Sequence, residues 1–338
     1  MDNENKEDLI YFLTETEKLC PELIDLFYPI TRLAFDFLYV FEEKTDDDWI
    51  IDFDNMPIHK TLDLVCDFLN SYDNSYLNKF KRCIADGTFD IFYKEFINDE
   101  EDRLDTPISI EKGHYNINVP IEGKILDGAI IIHEFFHFTN SSDSKVRFIF
   151  TELISIYMEL KYYKFLESKG YSINNFYKEL FLRINDTYIC SDNIFYSGSI
   201  LDIYENTNDI NKDNILFIDK YRDRYEDDMD ILIDFSNSED FTDILFEFPI
   251  DTSYLFGCVI ALNLLKDEKL SDIKIKYINE NIDNLTIEEV LKVLNIDLDK
   301  YQQLIDYCEY LYDKAEGVLN ESNNNSRSYV RRKNKTQY

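Results

Sequence analysis

The sequence predicts a mainly α fold with one small β element. Apolar residues recur at helical spacing over most of the 338-residue chain, and one stretch near its middle alternates with period two. Hydrophobic residues make up 45% of the chain and aromatics 15%, enough for a sizeable core in one large domain or two modest ones.

The elements follow in order. Residues 7–43 carry helical periodicity through "LIYFLTETEKLCPELIDLFYPITRLAFDFLYVF", with Pro21 and Pro29 placed to open or bend helices. "KTDDDW", 44–49, reads as an acidic loop, and "KTLDLVCDFLNSYDNSYLNKFKRCI" as one or two further helices. The charged connector "FINDEEDRLDTP", 96–107, sets a soft boundary near residue 105. "ISIEKGHYNINVP", 108–120, alternates around Lys112 and Gly113, which predicts a short hairpin or a pair of edge strands. Asp127 is placed to N-cap a helix from Gly128 to about Thr139. "NSSDS", 140–144, breaks the pattern, and a long helix follows from about Lys145 to Ser168, closed by Gly170. Amphipathic helices continue to about residue 318, in "NNFYKELFLRIND", "SYLFGCVIALNLLKDE", "TIEEVLKVLNI" and "LDKYQQLIDYCEYLYDKAEGVL". The polar, basic stretch 319–338 predicts a disordered tail. The expected division is therefore an N-terminal helical region, 1–105, a catalytic region, 106–318, and that tail.

Composition excludes some functions. Asp and Glu number 68 against 35 Lys and Arg, a net charge of −33, so the surface repels nucleic acid and anionic lipid. The excess reads first as a solvated face, and it leaves room for basic peptides as partners. The six cysteines lie far apart with no CxxC pair, which argues against a cysteine zinc site and for thiols of a reducing compartment. "MDNENKEDLI" lacks the basic and apolar regions of a signal peptide, and no apolar stretch is read as approaching the length of a membrane span. A soluble, cytoplasmic protein is expected.

Chemistry concentrates in "IIHEFFHF". The chain has 4 histidines, and His133 and His137 stand four apart with Glu134 after the first. One helical turn puts both imidazoles on one face, an arrangement that suits two nitrogens of a zinc site. Glu134, one step round, can reach a water at the open position without binding the metal, the placement of a general base. A buried scaffold helix with the same spelling is the plain alternative. It leaves a charged Glu in the apolar run "DGAIIIHEFFHF" without a partner, which is costly.

Two third ligands are open. Asp143 lies six residues after His137, the third-ligand spacing of metzincins, although "NSSDS" also reads as an ordinary polar loop and is preferred as one. Glu152 lies on the following helix, which comes beside the histidines if it folds back after a short loop. Ser155 and Glu159 share its face at i+3 and i+7, and Glu159 is either an outer partner of a histidine ligand or a solvated carboxylate.

At this point the sequence resembles a family. "INVPIEGKILDGAIIIHEFFHF" followed by "RFIFTELISIYMELKYYKFLESKG" is similar to the catalytic segment of the oligoendopeptidase F and thimet oligopeptidase family. There a strand leads into an H-E-x-G-H helix, and a second helix reads roughly F-x-A-E-x-x-S-x-x-x-E. The resemblance covers roughly residues 115–170. It implies a helical gluzincin-type zinc-peptidase core with His133, His137 and Glu152 as zinc ligands, Glu134 as general base, and Ser155 and Glu159 behind the ligands. Phe136 stands where the family has Gly, and Ile149 and Thr151 replace its Phe and Ala. The late stretch "FPIDTSYLFGCVIALNLLKD" is similar to the family's tyrosine segment, which implies Tyr254 as an oxyanion donor; a core tyrosine is the competing reading. His114, in the hairpin just upstream, is either a cleft residue beside a substrate-binding edge strand or a surface histidine in a turn. His59 reads as a helix-start residue without a role.

Two functions follow from different classes. The first is a Zn2+-dependent metallopeptidase acting on peptides or unfolded segments. The second is a helical binding protein that keeps zinc, or only the scaffold, without turnover.

Overall fold

The structure is a computed structural model that describes residues 1, 3–44, 53–93, 108–111, 114–139, 145–217 and 229–325. Its helices are α1 Asn3–Leu19, α2 Pro21–Ile24, α3 Phe27–Phe41, α4 Ile58–Tyr72 and α5 Asn74–Asp86. Strands β1 Phe89–Tyr93, β2 Ile108–Glu111 and β3 His114–Ile121 follow. The chain then continues through α6 Leu126–Thr139, α7 Lys145–Ser168, α8 Asn174–Thr207, α9 Lys212–Phe217, α10 Met229–Phe235, α11 Phe241–Leu264, α12 Glu268–Asn281, α13 Ile287–Leu294 and α14 Gln302–Asn325. The mainly α expectation holds. Pro21 occupies the first turn of α2 and Pro29 that of α3, where a missing N–H costs nothing.

The chain forms two compact units, neither of them continuous in sequence. The first comprises residues 1–45, 142–150 and 184–309; the second comprises 46–141, 151–183 and 310–338. The boundary expected near residue 105 has no described residues at its position. It rested on the charge of 96–107, and residues 94–107 lie outside the described residues, as do the acidic loop 45–49, the turn 112–113 and the breaker 140–144. The predicted tail begins later than expected. α14 runs on to Asn325, carried by a buried face of Ile305, Cys308, Tyr312, Ala315 and Leu319; residues 326–338 lie outside the described residues.

In the first unit, α3 buries Phe27, Ile30, Ala34, Phe37 and Phe41, a single stripe at helical spacing. Phe27 meets Phe248 of α11 edge-on, with ring centroids 5.5 Å apart. A side chain at Gly198 of α8 would put its Cβ 2.2 Å from Thr31 Oγ1, so only glycine admits this helix contact. Thr286 and Glu289 form a reciprocal capping box at the start of α13. The run Phe241–Asn284 is long and apolar enough to cross a membrane, contrary to the reading of the sequence, but 78% of its apolar window is buried inside the chain. Its first part, α11, is the core helix of this unit, which explains the apolar run.

In the second unit the strands form one sheet in the order β1-β3-β2. The predicted hairpin is present: β2 pairs antiparallel with β3, Ile108 opposite Ile117 and Glu111 opposite His114. β1 was not anticipated. It lies parallel to β3 on the other side, with Phe89 opposite Ile117 and Tyr93 opposite Ile121. α5 and α6 pack on this sheet, where Phe80, Phe89 and Phe135 meet edge-on with centroids 5.2 to 6.2 Å apart. α7 ends as predicted. Gly170 has φ +91, and the Tyr171 N–H donates to Leu166 O while the Gly170 N–H donates to Glu167 O, a Schellman closure.

Candidate metal centre

The centre is built from the entry to α6. After β3, Gly123 turns the chain at φ +78. The Asp127 carboxylate then accepts N–H groups from Glu122, Gly123 and Lys124 at 2.8 to 3.1 Å. This corrects the N-cap expectation: α6 begins two residues earlier, at Leu126, and Asp127 grips the preceding turn rather than the helix's own amides. Burial raises the Asp127 pKa, and those three donors pull against it. Ala129, Ile131, Ile132, Phe135 and Phe136 anchor α6 in the core. α7 lies hard against it at Gly128, where an added Cβ would sit 2.3 Å from the Tyr162 hydroxyl.

This packing brings Glu152 of α7 to the two histidines. His133 Nε2 and His137 Nε2 are 2.8 Å apart. Glu152 Oε2 is 3.3 Å from the first and Glu152 Oε1 3.2 Å from the second. All three residues are buried. The edges of a coordination tetrahedron with zinc–nitrogen bonds of about 2.0–2.1 Å are about 3.3 Å, so both histidine–carboxylate separations match a shared divalent ion. The histidine–histidine edge, at 2.8 Å, is shorter. The donor chemistry fits as well: nitrogen lone pairs and a carboxylate converging in a buried space repel one another unless a proton or a cation sits among them. Burial alone would lower the His133 pKa, but the Glu152 and Glu159 carboxylates outweigh it and raise it to about 10. Burial pushes Glu152 up, and the two histidines more than reverse this, holding it well below the ordinary carboxylate range.

Glu159 lies behind His133. It is fully buried, with Oε2 2.9 Å from His133 Nδ1, so it is not the solvated carboxylate that the sequence left open. Arg183 Nη2 donates to both Glu159 oxygens, at 3.0 and 2.9 Å. Burial raises the Glu159 pKa, and the guanidinium with the bonds from Glu179 and His133 brings it down to about 2. Burial and the Glu159 charge push the Glu179 pKa the other way, well up. Ser155 is fully buried on the same helix, but its Oγ has no hydrogen-bond partner among the described residues. The same holds for Glu134 Oε2 and His137 Nδ1.

Of the residues singled out in the sequence, His133, His137, Glu152 and Glu159 come together, with Glu134 on the same helix. Tyr254 is half-buried on α11 in the first unit. His114 opens β3, its backbone registered with Glu111. Asp143 lies outside the described residues. Arg183, Glu179 and Tyr163 were missed. The available signal was the pair Glu179 and Arg183 inside the apolar run "NNFYKELFLRI", where charge at core-facing positions needs a partner. No protein-family model matches the chain, nor does any curated protein or solved structure.

Proposed function

We propose that the protein is a zinc-dependent metallopeptidase that hydrolyses peptide bonds in peptides or unfolded segments. One observation carries the reading: His133, His137 and Glu152 offer ligand atoms all within 4.8 Å of one another, and Glu134 follows the first histidine with an unpartnered buried oxygen. The group suits a divalent cation, and the nitrogen-rich donor set favours zinc over magnesium or calcium. When bound, zinc supplies Lewis acidity toward a water and a scissile carbonyl. Glu134 takes the proton from the water and passes it to the leaving amine. His133, backed by Glu159, would hold the ion together with His137 and Glu152. The sheet's outer strands offer a peptide main-chain pairing, with His114 at the start of the central strand. The family resemblance adds Tyr254 as a hydroxyl donor to the developing oxyanion. Six free thiols suit a reducing compartment, and we assign the protein to the cytoplasm.

A second reading has its own observation. Phe136 is buried and packs on Tyr76, with ring centroids 5.0 Å apart, where the family keeps glycine. A bulkier α6 suits a metal-bearing binding protein without turnover. Elemental analysis and a peptide-library screen separate the two. About one zinc per chain with cleavage, abolished in Glu134→Gln while the zinc remains, supports the peptidase. Zinc without cleavage supports the binding protein, and no uptake of zinc defeats both metal readings.

A further inference from the structure

We propose that Arg183 is a positioning residue of the metal centre: through Glu159 it fixes the His133 ring whose Nε2 faces the ion. The proposal rests on the metal reading above. Glu159 Oε2 contacts two groups at once, His133 Nδ1 at 2.9 Å and Arg183 Nη2 at 2.9 Å. The same guanidinium nitrogen reaches Oε1 at 3.0 Å, so both oxygens of the carboxylate are held. A fixed carboxylate fixes the proton of His133 on Nδ1 and leaves the Nε2 lone pair for a metal.

Arg183 is itself restrained. Its Nε lies 2.9 Å from Oε1 of Glu179, one turn earlier on α8, an ion-pair contact that is not aligned as a hydrogen bond. The Tyr163 hydroxyl of α7 donates to Glu179 Oε2 at 3.2 Å. The relay Tyr163–Glu179–Arg183–Glu159–His133 thus ties α8 to α6 by way of α7. Glu159, Glu179 and Tyr163 are all at least 98% buried, which argues for a built support rather than a chance surface pair. An internal ion pair that merely packs the helices would make the same contacts, so the test must read the metal and not only stability.

The probe is cobalt(II), whose visible absorption reports coordination geometry, titrated into metal-free full-length protein. Wild type is expected to bind it with a tetrahedral-type spectrum. Arg183→Met, shown to be folded by circular dichroism, is expected to bind about 10–100-fold more weakly, the usual cost of losing an outer partner, and with an altered spectrum. Arg183→Lys keeps the charge without the two-oxygen grip and should recover part of the affinity. Wild-type affinity and spectrum in folded Arg183→Met would overturn the proposal. Should Arg183→Met not fold, Arg183→Lys and Tyr163→Phe decide it: a weaker, altered site in either supports the relay, and unchanged binding in both overturns it. Wild-type protein that takes up neither cobalt nor zinc overturns the metal reading and this proposal with it, before any variant is compared.

Discussion

Glu152 is the residue whose replacement separates the two ligand sets open in the sequence. It lies 3.2 and 3.3 Å from the histidine nitrogens, so Glu152→Ala is expected to weaken zinc binding by more than the 10–100-fold typical of an outer partner. Asp143→Ala is expected to be nearly neutral. Competition with a chromophoric chelator measures both, and the reverse order would move the third ligand into the loop after α6. The histidine pair was legible because helical spacing alone puts two rings on one face. Glu152 was legible only on the assumption that α7 folds back along α6, which it does. Arg183 and Glu179 were not legible, because an acid and a base four apart on a helix ordinarily mark a solvated face. Only the fold shows that Glu179 is buried and that Arg183 reaches across to Glu159.

At the scale of elements, the contact of α6 with α7 sets the centre's width, and it turns on Gly128 and Tyr162. The Tyr162 hydroxyl is buried without a hydrogen-bond partner among the described residues, and burial raises its pKa. Tyr162→Phe removes an unsatisfied group and is expected to be neutral or stabilising by about 1 kcal/mol in urea unfolding. Gly128→Ala places a methyl group against the same ring, 2.3 to 2.9 Å from three of its atoms, and is expected to cost about 1–3 kcal/mol through overpacking. Destabilisation by Tyr162→Phe instead would show that the hydroxyl has a partner. The hairpin and long helices were legible from their periods of two and 3.6. β1 was not: "FDIFY" is only five residues long, and its parallel partner lies beyond a separate strand and connector, a pairing that no local pattern encodes. Asp127 was recognised as a capping type, but its carboxylate bonds backward, a choice made by the turn at Gly123.

At the scale of the whole chain, burial of a carboxyl makes folding stability depend on pH. Asp251, on the core helix α11, has one oxygen with no hydrogen-bond partner among the described residues. Burial raises its pKa to about 6; bonds from Cys190 and Asn193 of α8 oppose this, and Glu247 one turn earlier adds to it. The raised value fixes the sign. At pH below the unfolded value of about 4, Asp251 is neutral in both states and costs nothing. As pH rises from about 4 through 6, the unfolded chain ionises first, and stability falls. Above the folded value the loss is complete, and a shift of about two pH units corresponds to about 2–3 kcal/mol. Asp251→Asn removes that ionisation and keeps an oxygen for Cys190 and Asn193. It is therefore expected to raise the melting temperature at pH 8 by several degrees and to raise it about half as much at pH 5. The net charge of −33 repels itself equally in the wild-type and variant chains to within one unit, so it cancels in the difference. Calorimetry at the two pH values reads the result. Parallel curves would mean that Asp251 titrates like an exposed carboxyl, and that water or a neighbouring donor already satisfies its second oxygen.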